Sequence, residues 1–567
     1  MAKSNVALSI NQQLVSHPNA TANHEGGLAF AFDPRTRLYT WAVASLMRED
    51  KFYTEANQAD AELVSDIGQA AEVDPEFVLR LAAYTRQVVG IRSTPVTLLV
   101  EAAAIPACKP FVRRWTPQIV RRADEIAETL AYWILRHGSI GSADAQGKEH
   151  ALPNSLTRGL QDALGQFDEY QFAKYDRDGA VKLRDALRIL RPKPVSDAQS
   201  ALFRYLVKQE INATHLPKLA AKAELLRKEQ LDPEAIELAA RAHATWEVLT
   251  SKFGNTAEVW NALRFLPFMA GLRNLSNIMR KGADQALDRV LSMFRNPEHV
   301  QRSRQMPFRF FSAYKVIETG YRFDKRQQCF VVDQAILNHP RRAEVLEAIL
   351  TAMELSLVNL PRLPGRTFIM SDNSGSMSHP LSERSTVEMK DVANLLAAVS
   401  HTLCEESICS AFGTDHVIVP IIRKDSIFTN MARLSNAVHG GSTNAYLPVR
   451  HLRERKIRVD RIVLISDMQC YASGHDPMLW GHARNESLAE ELRKYRSSVN
   501  PQVFMHSVDL SGYGTAQFPP SERRVACLAG WSERALEILP LLEEDGRQAV
   551  DLINGWEPAK RALHEPE

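Results

Sequence analysis

The sequence predicts a multidomain fold in which an all-α ring of HEAT-like repeats is followed by a doubly wound α/β domain. Three observations predict it. At 567 residues the chain exceeds the size at which a single hydrophobic core stops growing. From about residue 38 to 360, apolar residues recur three and four apart, and no convincing run of alternating strands interrupts them. Beyond NLPRLPGR, continuously apolar runs rich in β-branched residues alternate with helical segments, as in a parallel sheet covered on both faces. The division drawn from this change of grammar is a helical domain over 1–362, an α/β domain over 363–550 and a tail over 551–567.

In the first part, LYTWAVASLMRED, DPEFVLRLAAYTRQVV, ADEIAETLAYWILRHG, SDAQSALFRYLVKQEI and DPEAIELAARAHATWEVLTSKFG carry the helical period. Several open on Asp or Ser and close at Gly or before Pro, which are start and stop signals. Many short helices without a sheet predict stacked helical hairpins, although no clean repeat length is visible. In the second part, RTFIMS, SICSAFG, HVIVPII, DRIVLIS and QVFMHSVDL read as strands. VEMKDVANLLAAVSHTLC, MARLSNAV, LPVRHLRERK, ESLAEELRKY and SERALEILPLLEE read as helices between them.

Composition excludes little. A net charge of +2 gives no gross case for nucleic-acid binding. Beyond Pro361 the net charge is −3, which leaves +5 in the first part, so any basic patch belongs there. The six cysteines form no C-x-x-C pair and read as reduced thiols. The N-terminal MAKSNVALSINQQ lacks a signal-type apolar core, and no apolar run is long enough for a bilayer. A cytoplasmic monomer without membrane contact is expected.

The stretch FIMSDNSGSM (368–377) ends an apolar run in Asp372, Ser374 and Ser376 around Gly375. Ligands of such sheets sit beyond the carboxyl ends of the strands. An Asp-x-Ser-x-Ser turn there supplies one carboxylate and two hydroxyls, the hard oxygen donors that Mg²⁺ takes. GGSTNA (440–445) offers Thr443, and Asp467 closes DRIVLISD at a neighbouring strand end. A competing reading makes Asp372 and the serines caps of the next helix. A serine hydrolase lacks its G-x-S-x-G elbow and an identifiable base. His379, His439 and His475 could reach the same rim, but loop histidines are usually not ligands.

Two further stretches combine cations with aromatics: AKYDRDGAVKLRDALRILRPKP (173–194) and QRSRQMPFRFFSAYKVIETGYRFDKR (301–326). Cations track phosphates, and aromatic or guanidinium planes stack unpaired bases. On this ground Arg302, Arg304 and Arg309 are candidate RNA contacts. The bland alternative makes the aromatics helix core and the cations a solvated face.

The Asp372 constellation resembles the metal-ion-dependent adhesion site of von Willebrand factor A domains. The resemblance implies that Asp372, Ser374, Ser376, Thr443 and Asp467 hold a divalent cation such as Mg²⁺, directly or through water. Related sequences often place the threonine immediately after Gly-Gly, so Ser442 is an alternative to Thr443. TSKFGNTAEVWNALRFLPFMAGLRNLSNI (250–278) resembles the TROVE module, with RLYTWAV, LRPKP and AGWSER in agreement. A TROVE module followed by an A domain is the layout of the Ro autoantigen family. That resemblance implies Y-type non-coding RNA bound on the outer surface and single-stranded 3′ ends of misfolded or precursor RNA passed through the central hole. It also implies RNA quality control, with an exoribonuclease such as polynucleotide phosphorylase as partner. It places Lys174, Arg177 and Arg191 on RNA-contacting positions, with a one-residue gap before Arg177 and an arginine where animal relatives have histidine. No enzymatic activity is expected. The rival is a metal-dependent adhesion scaffold with no RNA role, and a metal-dependent hydrolase is disfavoured for want of a base.

Overall fold

The computed structural model describes residues 10–45, 51, 53–141, 151–175, 179–264, 266–324, 326–438, 441–470, 487–531, 533–545 and 548–558. Two compact units emerge, and neither follows the change of sequence grammar. One joins Met1–Asp66 to Leu291–Leu552, and the other joins Ile67–Val290 to Ile553–Glu567.

The first unit contains every described strand. β1 (Ala20–Ala22) and β2 (Leu28–Ala31) form an antiparallel hairpin. Its turn closes at Gly26, whose φ of 75° suits a residue without Cβ. β3 (Tyr321–Asp324) and β4 (Cys329–Val332) make a second hairpin. The main sheet comprises β5 (Leu363–Asp372), β6 (Cys404–Phe412), β7 (His416–Val419), β8 (Arg461–Ser466), β9 (Phe504–Asp509) and, after the short β10 (Thr515–Ala516), β11 (Val525–Ala529). Its order is β11-β9-β8-β5-β6-β7. Five strands run parallel, and β7 returns antiparallel on β6 at the edge. Every residue of β8 is buried, as a strand covered on both faces requires. Phe368, Met370, Ile462, Leu464 and Met505 form the core together with Phe30 of β2. β2 also pairs antiparallel with β10, so the hairpin near the N-terminus is part of this fold.

The second unit is helical. Its helices begin where the sequence signals them. Asp74 accepts from Phe77 N–H at 3.1 Å, Ser196 from Gln199 N–H at 3.1 Å and Asp232 from Ala235 N–H at 2.7 Å. Gly138, with φ 86°, ends helix Ala123–His137. Helices Lys109–Ile119 and Asn154–Leu164 approach so closely that a Cβ on Gly159 would lie 2.6 Å from Thr116 Oγ1. Residues expected as a tail pack here instead: Trp556 meets Tyr84 edge-on at 5.6 Å, and Asn554 O accepts from Arg80 Nη1 at 2.8 Å.

Three expectations are corrected. HVIV forms an antiparallel edge rather than another parallel strand, which makes the sheet mixed. DPEAIELAARAHATWEVLTSKFG breaks into Pro233–Arg241 and Trp246–Phe253, with His243 in the left-handed region at φ 49°. The stretch read as strand-free contains the β3–β4 hairpin, too short for its alternation to stand out. Among the described residues no single helix is long and apolar enough to cross a membrane.

Candidate functional site

β5 and β8 are neighbours, so Asp372 and Asp467 emerge side by side at the carboxyl edge of the sheet. The turn after β5 is held from within: Asp372 Oδ1 accepts from Ser374 N–H at 2.9 Å, and Ser374 and Ser376 hydroxyls lie 3.4 Å apart. The turn after β8 is built alike, with Asp467 Oδ1 accepting from Gln469 N–H at 3.0 Å. The two are laced together. Ser466 donates to Asp372 Oδ2 at 2.6 Å, and the Ser376 hydroxyl bonds the Asp467 carboxylate. The third loop docks on the first, where Gly375 N–H donates to Gly441 O at 3.1 Å. Thr443 and Ser442 are both buried in that loop. The contacts described for the two carboxylates come from Ser374, Ser376, Ser466 and Gln469, so the choice between Thr443 and Ser442 stays open.

Asp372 and Asp467 are 0% and 2% exposed. Burial pushes the Asp372 carboxyl upward, and Asp467 beside it adds to the effect. Burial likewise raises Asp467, opposed by the Ser376 hydrogen bond and reinforced by Glu25. Two buried carboxyls ringed by hydroxyls are relieved either by protonation of one of them or by a small hard cation. Among the described residues no three His, Cys, Asp or Glu side chains converge as a metal cluster, so hydroxyls must supply the remaining donors. The donor set therefore fits Mg²⁺. The capping alternative fails, because the next long helix begins at Met389 and its N-terminus is closed by Asp391 accepting from Glu388 N–H.

A third carboxylate, Asp509, ends β9 and accepts from Ser511 and Gly512 N–H at 2.9 and 2.8 Å. Its counter-charge is Lys51, which burial lowers to about 8 against the pull of Asp509. Lys51 also sits over the Trp41 and Tyr513 rings at 5.5 and 5.2 Å.

The candidate RNA residues fall in both units. In the helical unit, Lys174 lies on helix Glu169–Tyr175, its ammonium 5.4 Å from the Tyr170 ring and 5.1 Å from Tyr175. Lys218 reaches the same Tyr170 ring at 5.4 Å, and Arg122 lies 3.9 Å from Tyr175. Arg191 is exposed and caps helix Leu183–Leu190 in the left-handed conformation at φ 47°. Arg177 lies outside the described residues, as do His439 and His475. In the other unit Arg302, Arg304 and Arg309 are exposed. Two of the aromatics interleaved with them are not available to bases: Phe310 and Phe311 are buried, Phe310 edge-on against Phe294 and Phe311 tilted against Phe428, whereas Tyr321 is exposed. Lys315 is paired with Asp391 at 3.2 Å.

Sequence reasoning missed Ser466, Gln469 and the groups brought from the N-terminal hairpin. Ser466 had a signal, since it directly precedes Asp467 at a strand end. Glu25 and Tyr53 had none, being more than 300 residues from the loops they meet.

Comparison with known proteins agrees with this architecture. The TROVE domain matches residues 32–243 and 238–359, and the Ro60 vWA domain matches residues 366–540. Telomerase protein component 1 of Mus musculus is 28% identical over 340 residues, covering 50% of this chain and 13% of that protein. Its Rattus norvegicus counterpart is 24% identical over 567 residues, covering 78% of this chain and 21% of that protein. The chain thus spans about a fifth or less of these curated relatives. The crystal structure of the Deinococcus radiodurans RO (RSR) protein aligns with a TM-score of 0.63 at 17% identity, over 91% of this chain and 100% of that one. At that identity the likeness is one of fold. With the TROVE match alone covering more than half of its length, the chain belongs to the TROVE family and carries a Ro-type von Willebrand factor A domain after its helical region.

Proposed function

We propose that this is a non-catalytic, cytoplasmic RNA-binding protein whose A domain holds a divalent cation, Mg²⁺ in the first instance. The observation that carries the RNA reading is the cluster on helix Glu169–Tyr175. Lys174 and Lys218 meet there on the Tyr170 ring, Arg122, paired with Asp124, lies over Tyr175, and the exposed Arg191 belongs to the same stretch of sequence as Lys174. Such a surface suits phosphates first, because duplex RNA hides its base edges in a deep groove and offers its backbone. The Ro-type resemblance implies a Y-type small RNA on an outer surface and single-stranded ends in the hole of a helical ring. A role in RNA quality control alongside an exoribonuclease follows from the same reading.

The metal centre supports a second, compatible reading as an adhesion site. When bound, the cation would supply an electrophilic position for a partner's carboxylate. Asp372, Ser374, Ser376 and Asp467 would hold it, while Ser466 orients Asp372. No hydrolysis is proposed: the bonds described for Ser374 are to Asp372 and Ser376, neither of them a histidine base.

Fluorescence anisotropy with a labelled Y-type RNA tests the RNA reading. Lys174→Glu with Arg191→Glu should weaken binding and reduce the dependence of log K on log salt by about 0.9 for every phosphate no longer neutralised, with the circular dichroism unchanged. Equal affinity and equal slope in the double variant would exclude this surface.

A further inference from the structure

The tip of the β1–β2 hairpin lies against the metal centre, although nothing in the motif calls for it. Asn23 is the anchor. Its Nδ2 donates to Cys470 O at 2.7 Å, and its Oδ1 accepts from Glu25 and Gly27 N–H at 3.1 and 2.8 Å. His24 N–H donates to Gln469 Oε1 at 2.9 Å, so the tip is fastened to the turn that carries Asp467. This clamp presents Glu25 inward. The Tyr53 hydroxyl bonds a Glu25 carboxylate oxygen and also bonds Ser376, linking the hairpin acid to a proposed cation ligand. His24 stacks on Tyr53 at 5.2 Å with the rings 3° from parallel, and Tyr513 closes edge-on against both, at 5.1 and 5.6 Å.

A third acidic group held beside two buried carboxylates is unfavourable unless positive charge joins them. We infer that Glu25 is a built-in acidic support of the A-domain cation site, acting from outside its ligands through Tyr53 and Ser376 and delivered in cis by the β1–β2 hairpin. The inference rests on reading the Asp372–Asp467 centre as a divalent-cation site. The hairpin tip thereby adds negative charge beside the cation without occupying a ligand position.

The test is direct cation binding, by isothermal titration calorimetry with Mg²⁺ and by Mn²⁺ electron paramagnetic resonance, on the full chain after EDTA treatment. Glu25→Gln should weaken affinity by about tenfold or more, the usual effect of removing a group that supports or joins a metal's ligands. Tyr53→Phe, which keeps the carboxylate but removes its hydroxyl link, should weaken it less. Glu55→Gln, an exposed acid of the same segment, should leave it unchanged. Melting temperatures in EDTA identify any variant that fails to fold, and Tyr53→Phe then carries the test. Wild-type affinity in both Glu25→Gln and Tyr53→Phe would overturn the role of Glu25 and leave the cation site standing. Absence of binding by the wild-type chain would overturn the cation reading and Glu25 with it.

Discussion

Ser466 donates its hydroxyl to Asp372 Oδ2 at 2.6 Å, tying the ends of β8 and β5 at a position where neither side chain touches solvent. The same oxygen of Ser466 accepts from Met468 N–H at 3.1 Å. Ser466→Ala removes both bonds and leaves a buried carboxylate one donor short. A loss of about 1–3 kcal/mol is expected in urea unfolding measured in EDTA, with an unchanged m-value.

The two strand-end aspartates predict opposite effects with and without cation. In EDTA, Asp467→Asn relieves the repulsion on Asp372 and should be neutral or stabilising. With Mg²⁺ at about a hundred times its Kd, the wild-type chain should gain about 2.7 kcal/mol while Asp467→Asn gains little. Thermal melts of both proteins in both conditions check the crossover. An equal Mg²⁺ gain in the two would rule out Asp467 as a ligand.

Two glutamates, Glu543 half-buried and Glu533 fully buried, act on the acid and alkaline sides with opposite signs. Burial alone would raise Glu543, but bonds from Arg461, at 2.7 Å to each carboxylate oxygen, and from His506 at 2.9 Å hold it at about 2. Its folded pKa lies below the unfolded value of about 4.3, so its stabilisation is present above that value and is lost as pH falls toward 2. The amount at stake is about 3 kcal/mol. Glu543→Gln should flatten acid unfolding and destabilise the neutral protein, since Arg461 is left buried without its partner.

Glu533 behaves in the reverse sense. Burial raises it to about 7, so its contribution is intact below about pH 4.3 and disappears as pH rises through 7. Glu533→Gln should therefore gain on the wild-type chain between about pH 5 and pH 8.5, read as the difference in denaturation midpoint.

Within residues 301–326, the exposed arginines and the buried Phe310 and Phe311 have different roles. Arg302→Gln with Arg304→Gln should leave stability within about 0.5 kcal/mol and, if these exposed arginines meet RNA, lower the salt slope by about 0.9 for each phosphate they neutralise. Phe310→Ala should cost about 3–5 kcal/mol, because that ring is fully buried against Phe294. Chemical denaturation and RNA titration of the same variants separate the two effects.

The strands that position the centre were legible because each is a continuous apolar run ending in a carboxylate, as at Asp372 and Asp467. The edge strand His416–Val419 has the same composition as its parallel neighbours, and nothing local encodes its direction. The helix starts at Asp74, Ser196 and Asp232 were legible from their caps. The break at His243 was not, since a left-handed histidine carries no glycine or proline to announce it. The positions of Asn23, His24, Glu25 and Tyr53 lay beyond any reading of local pattern. The place of the hairpin tip at the A-domain centre is set by contacts such as Asn23 to Cys470, which join residues 447 positions apart.

That separation has a cost in time. A ribosome adding roughly 5–20 residues per second needs on the order of 20–90 s between making Asn23 and making Cys470. Through that interval Phe30 has no core to enter and the outer edge of β2 has no neighbour, which is the sort of exposed surface that chaperones shield. The hairpin is translated long before its socket exists, so the nascent chain has to keep it soluble until the last strands of the sheet emerge.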